Sequence, residues 1–170
     1  MASIVNVDVI ESRTPGQNIV LNNMPSGFVL STTTIRDSTR VAMSATTGAV
    51  IAFGGSFTKH RADTAIMATC TVFGAQYYSG NCGVGLRLDS SWDYGCAYQY
   101  DGAWGTSQTT IVVGQGYWTG IGAGSHTMSF GWNPADSSTN RPFVYLNPNS
   151  TDDSRNRQMV SSIIVYEVYP

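Results

Sequence analysis

Apolar side chains recur at every second position in segment after segment of this chain, the period of a β-strand with one buried face. In Cys82-Gly83-Val84-Gly85-Leu86-Arg87-Leu88 the apolar positions are separated by Gly83, Gly85 and Arg87. His126, Met128, Phe130 and Trp132 alternate with Ser125, Thr127, Ser129 and Gly131, and Val5, Val7 and Val9 alternate with Asn6 and Asp8. Each pattern predicts a half-buried antiparallel strand. Two denser runs, Gly48-Ala49-Val50-Ile51-Ala52-Phe53 and Ile163-Ile164-Val165-Tyr166, predict strands covered on both faces, centrally in a sandwich or at a subunit interface. The second is expected in the middle of a sheet, because so dense an apolar strand would make a sticky edge.

Turn signals separate these segments at regular intervals: Gly54-Gly55, Ser79-Gly80-Asn81, Asp101-Gly102, Gly114-Gln115-Gly116 and Asn133-Pro134. The spacing predicts about ten short strands and no helix, hence an all-β antiparallel sandwich or jelly roll. Residues 1–26, with Pro15-Gly16 and Pro25-Ser26, read as an N-terminal arm or attachment segment, and residues 27–170 as the folded domain. Charged residues make up 12% of the chain, and Lys59 is its single lysine. A net charge of −2 with scattered arginines offers no footprint for a phosphate backbone, so no nucleic-acid partner is expected. The start Met1-Ala2-Ser3-Ile4 lacks the basic and apolar regions of a signal peptide. No apolar run approaches the roughly 20 residues of a membrane span, so a soluble, cytoplasmically made protein without membrane insertion is expected. Cys70, Cys82 and Cys96 fit buried thiols better than a disulfide framework or a metal site.

Reactive constellations are hard to assemble from these residues. His60 and His126 are the two imidazoles, and Ser125 beside His126 points to the opposite face of a strand. A structural role is expected for His126 and a solvated turn for His60; no catalytic residue and no cofactor is assigned. Asp89-Ser90-Ser91-Trp92-Asp93 begins like a calcium loop, but Tyr94 and Tyr100 occupy the places of the turn glycine and the bidentate glutamate. The polar segment 147–157 has the composition of a turn whose Asp152 and Asp153 are answered by Arg155 and Arg157. The chain therefore reads as a non-enzyme.

In Trp92-Asp93-Tyr94-Gly95-Cys96-Ala97-Tyr98-Gln99-Tyr100 an aromatic face alternates with a small and polar one. That strip is expected to line the inside of a sheet. Rings with polar tips also stack on sugars, so Trp92, Trp104, Tyr117 and Trp118 are candidate surface-binding residues, with a host-surface glycan as the ligand to consider.

The segment Gly122-Ala123-Gly124-Ser125-His126-Thr127-Met128-Ser129-Phe130-Gly131-Trp132, followed after a polar insertion by Ser161-Ser162-Ile163-Ile164-Val165-Tyr166-Glu167-Val168, resembles the end of jelly-roll domains in tailed-phage fibres and related virion proteins. The shared pattern is a Gly-x-His strand, a loop, and a closing strand ending in glutamate. The resemblance implies a fold like tumour necrosis factor or the C1q globular head. It also implies a homotrimer in the virion, on a tail fibre or as a capsid decoration, with other capsid or tail proteins as partners. Gly124, His126, Trp132 and Ile164 to Val168 carry over as framework positions.

Overall fold

The computed structural model describes residues 25–42, 50–77, 82–93, 96–98, 109–134, 143–147 and 159–170. Among them there is no helix, and eleven strands form two sheets whose pairings are all antiparallel. The strands are β1 (Val29–Asp37), β2 (Val41–Ala42), β3 (Val50–Lys59), β4 (Ala65–Tyr77), β5 (Cys82–Leu88), β6 (Ser91–Asp93), β7 (Cys96–Tyr98), β8 (Thr109–Trp118), β9 (Gly124–Pro134), β10 (Phe143–Leu146) and β11 (Ser161–Val168). The expected strand near Val5 lies outside the described residues.

In the seven-stranded sheet β4 pairs with β8 along one edge and with both β11 and β10 along the other; β1 flanks β11, β2 flanks β10 and β7 flanks β8. The four-stranded sheet has the order β3-β9-β5-β6. Between the sheets lies one core. Ile66, Ala68, Cys70 and Val72 of β4, Val112 and Trp118 of β8, and Ile163 and Val165 of β11 meet Phe53, Phe57, Val84, Leu86, Leu88, Met128, Phe130 and Trp132. These are the alternate residues that the period of two marked in β5 and β9, and Cys70 is the buried thiol expected of it. The C-terminal strand β11 sits between β1 and β4, as its apolar density predicted.

The expectation for 48–53 needs correction. β3 is an edge strand that pairs only with β9 among the described residues, and Ile51 is exposed. A register irregularity between Ile51 and Phe53 breaks the alternation there, so the run loses a consistent inward face.

One junction holds the larger sheet together. β10 pairs with Gly74, Ala75 and Tyr77 of β4, and β11 resumes pairing at Thr71, leaving a gap opposite Val72 and Phe73. The Asn147 backbone N–H donates to the Phe73 carbonyl (2.9 Å), and the Phe73 N–H donates to Ser161 Oγ (3.0 Å). The fully buried Asn147 side chain accepts from the Ser161 N–H (3.0 Å) and hydroxyl (2.6 Å) and donates to Asp37 Oδ2 (3.0 Å) and the Thr39 carbonyl (3.1 Å). Its φ of 49° lies in the left-handed region, which asparagine tolerates better than most residues.

Asn147→Ala removes these bonds and also strains the backbone. It should lower the unfolding free energy by about 3–5 kcal/mol in urea titrations at fixed protein concentration. Asn147→Gly should recover roughly 1 kcal/mol of that, because glycine takes positive φ without a steric penalty. A loss below 1 kcal/mol for both variants would contradict this role.

Candidate binding surface

Strand pairing puts the four candidate aromatic residues in different places. Trp118 is in the core: its ring folds over Gly116, where an added Cβ would fall 2.3 Å from Trp118 Cη2. This corrects its assignment as a surface residue, for the missing side chain at Gly116 is what admits the ring. Tyr117, one residue earlier, points out of the seven-stranded sheet and is 50% exposed. Trp92 is half-buried on β6 of the other sheet, and Trp104 lies outside the described residues. Tyr117 and Trp92 therefore do not form a common platform.

The strip 92–100 does not form one continuous inner face. Its start, β6, belongs to the four-stranded sheet, and its β7 part to the seven-stranded sheet. Trp92 pairs with Arg87, which alternates with the buried Leu86 and Leu88 and so faces outward. The Arg87 guanidinium carbon lies 5.8 Å from the Trp92 ring centroid, and its buried Nε has no acceptor among the described residues.

The outer face of the seven-stranded sheet is a larger feature. Tyr117 lies opposite Met67, Val113 opposite Thr71, and Ile111 opposite Phe73; on the next strand Ile164 lies beside Thr69 and Tyr166 beside Met67. Val113 is 48% and Ile111 41% exposed, whereas Met67, Phe73, Ile164 and Tyr166 are half-buried. The charged side chains among the described residues of this face stand toward its margins, Arg36 on edge strand β1 and Arg40, whose guanidinium carbon lies 3.9 Å from the Tyr145 ring centroid. A contiguous apolar sheet face of this kind marks a surface for association more often than a solvated wall. The apolar run 163–166 was the sequence signal for it; the contributions of β4 and β8 were not anticipated.

At the end of the sandwich nearest both Pro25 and Pro170, Glu167 is buried with its carboxylate fully engaged. It accepts from the backbone N–H groups of His60 (2.9 Å) and Arg61 (2.8 Å) and from the hydroxyls of Thr64 (2.7 Å) and Ser31 (3.2 Å). Burial pushes its pKa up, but these donors, led by the His60 N–H and the Thr64 hydroxyl, outweigh that and hold it below the usual carboxylate range. Lys59 is buried beside it, and its ammonium donates to Thr64 Oγ1 (2.8 Å) and to the Arg61 carbonyl. Burial depresses the Lys59 pKa, opposed by the charges of Glu167 and Asp63. The cluster ties the 60–64 connection to the last strand, and each carboxylate oxygen is occupied by donors from the chain itself. Neither Lys59 nor Glu167 was singled out as a buried pair, since a lone lysine after a strand usually reads as solvated.

On the β5–β6 turn, Asp89 accepts from the Thr127 N–H (2.9 Å) and lies 2.9 Å from His126 Nδ1. The bond to the His126 ring, followed by that from Thr127, holds the Asp89 carboxyl below its ordinary pKa. His126 has the structural setting expected of it, and His60 is exposed at the end of β3. Among the described residues no three His, Cys, Asp or Glu side chains gather as a metal site would require.

No protein-family model matches the chain, and no curated protein matches it.

Glu167→Gln removes the charge that four donors converge on, and should lower stability by about 2–3 kcal/mol at neutral pH, as when a charged hydrogen-bond acceptor is lost. Because the folded-state pKa of Glu167 is depressed, its contribution is present above the unfolded value of about 4.3 and lost as pH falls through the folded one. Urea titrations from pH 7 to pH 3 should therefore show a wild-type acid loss that Glu167→Gln diminishes. An equal loss in both proteins would remove Glu167 as its source.

Proposed function

We propose that this chain is a non-enzymatic structural protein of a tailed-phage virion, a jelly roll that assembles as a homotrimer and is displayed on a tail fibre or capsid. Its likeness to phage jelly-roll domains in the segments 122–132 and 161–168 motivates the virion setting. Strand order supports the jelly-roll reading: β3 to β4, β4 to β5 and β8 to β9 each pass from one sheet to the other, and the closing strand β11 lies between β1 and β4. Such passages between sheets are foreign to a meander, whose successive strands stay in one sheet, and are a feature a jelly roll shares with other Greek-key sandwiches.

The observation that carries the assembly reading is the outer face of the seven-stranded sheet, where Ile111, Val113 and Tyr117 stand exposed beside Met67, Phe73, Ile164 and Tyr166. Identical faces packed about a closed symmetry axis would bury it and give no open-ended growth. Both Pro25 and Pro170 lie at one end of the sandwich, joined by bonds from the Gly27 N–H to the Tyr169 carbonyl (2.7 Å) and from the Tyr169 N–H to the Phe28 carbonyl (3.0 Å). Attachment through the N-terminal arm to a capsid or tail protein would leave the opposite end facing away from the particle.

Light scattering at micromolar concentration should give the mass of three 18.3 kDa chains. Val113→Asp and Ile111→Asp change exposed side chains, so each should leave the fold intact and shift the protein to monomer. A monomeric wild type would overturn the trimer, and a trimer indifferent to both substitutions would overturn its placement on this face.

A second reading, a lectin-like surface, is favoured by Trp92, whose ring is outside the core and beside a guanidinium whose buried Nε has no acceptor among the described residues. A glycan array should then show binding that Trp92→Ala weakens about tenfold or more, the loss of one stacking contact. Binding to no glycan would favour a decoration protein that does not touch the host.

A further inference from the structure

His126 extends from β9 at the end of the sandwich that holds Pro25 and Pro170, and each of its ring nitrogens meets an oxygen. Nδ1 lies 2.9 Å from Asp89 Oδ2 and Nε2 lies 3.0 Å from the Gly122 carbonyl oxygen. Neither oxygen has a proton to give, for one is a carboxylate and the other a backbone carbonyl. A neutral imidazole has one N–H and one lone pair, so it satisfies one oxygen and turns a lone pair toward the other. The imidazolium donates to both.

Among the described residues no other hydrogen bond to the Gly122 carbonyl is formed. Gly120 (φ 72°) and Gly124 (φ 141°) take conformations that favour glycine, and nothing lies within 4 Å of where a Cβ would stand at Gly120, Gly122 or Gly124. Gly122, Ala123 and Gly124 are exposed, while Ile121 packs against the core. Asp89, by contrast, is fixed twice to β9: its N–H donates to the Thr127 carbonyl (2.9 Å), and its Oδ1 accepts from the Thr127 N–H. One partner of the ring is rigid and the other is a glycine-rich connection.

We propose that His126 is a protonation-dependent latch: as the imidazolium it ties the β8–β9 connection, through the Gly122 carbonyl, to the Asp89 turn, and on losing its proton it lets that connection go. The charged groups around it define the device. Asp89 is the ionised side chain that touches the ring. On β3 the opposing residue is Phe57, whose ring centroid lies 5.8 Å away. Lys59, two residues on, turns its ammonium to Thr64 and Arg61, in the cluster of Glu167 and Asp63. When the proton leaves, the carboxylate retains the N–H at Nδ1, and the contact with Gly122 is the one lost. The connection is thus closed while the ring carries both protons and opens when it gives one up. The inference does not depend on the assembly proposed above.

The test is nuclear magnetic resonance on the 15N-labelled full chain between pH 5 and pH 8.5. At the acidic end both His126 ring nitrogens should carry protons. As the ring titrates, amide exchange at Gly122, Ala123 and Gly124, corrected for its intrinsic pH dependence, should accelerate roughly tenfold to a hundredfold, the loss of one charge-assisted hydrogen bond. His126→Gln should exchange at the fast rate throughout. Asp89→Asn, which keeps an acceptor but not its charge, should reduce the protection of the connection at the acidic end. A ring with one proton at the pH where Gly122 to Gly124 are protected would overturn the latch, as would corrected exchange that ignores the ring titration. Should the Gln variant not fold, those two wild-type measurements decide the question alone.

Discussion

Hydrogen bonding along both edges of β4 is the constraint from which most of this fold follows. A thirteen-residue strand buried on one face cannot leave its backbone groups unpaired, and β4 needs β8 on one side and two collinear strands, β11 and β10, on the other. Where those two do not meet, Asn147 and Ser161 supply the missing donor and acceptor at Phe73. With β4 held, alternation fixes the rest. Ile66, Ala68, Cys70 and Val72 face the four-stranded sheet, and Met67, Thr69, Thr71 and Phe73 have to face away. The apolar outer face is therefore a consequence of the same strand that anchors the core.

The buried polar groups share one use: they close strand ends where a ladder stops. Glu167 receives the N–H groups of His60 and Arg61 as the chain turns from β3 to β4, and Asn147 does the equivalent between β10 and β11. Such clusters resemble active sites in composition, a carboxylate, an amine and a hydroxyl within hydrogen-bond reach. They differ in commitment. Thr64 Oγ1 gives its single proton to Glu167, lies 2.9 Å from the Arg61 carbonyl and accepts from Lys59, which leaves its oxygen no clear approach for a substrate. In a backbone-capping network the lone pairs are spent before a ligand arrives.

How much of this was legible depended on the range of the interaction. The alternations in β5, β9 and β11 are local, and they correctly gave the inner faces of those strands and the interior position of β11. Trp118 was misplaced because its burial depends on Gly116 two residues earlier, and a tyrosine next door with the opposite orientation obscured the pattern. Trp92 was expected on an inner face because the run 92–100 alternates without interruption; the chain passes from β6 in one sheet to β7 in the other, and alternation cannot report that change. The Lys59–Glu167 cluster and the Asp89–His126 pair join residues 108 and 37 positions apart, and neither partner carries a local mark of the other. Long-range polar pairing has no period to read.

The two sheets also differ in what their outer faces can do. That of the four-stranded sheet carries Gly54, Ser56, Thr58, Thr127, Ser129 and Gly131, small residues that let β3 and β9 approach closely; a Cβ at Gly54 would fall 2.6 Å from that of Ser129. Larger outward side chains stand at its two sides, the exposed Ile51 on edge strand β3 and Arg87 with Trp92 toward β6. The seven-stranded sheet presents isoleucine, valine, methionine and aromatic rings with threonines between them. Hydrophobic association scales with the apolar area removed from water, so a partner that covers one face of this sandwich gains far more on the seven-stranded side. The four-stranded side, built of small residues and with Ser129 and Gly131 already buried, has correspondingly less apolar area to offer.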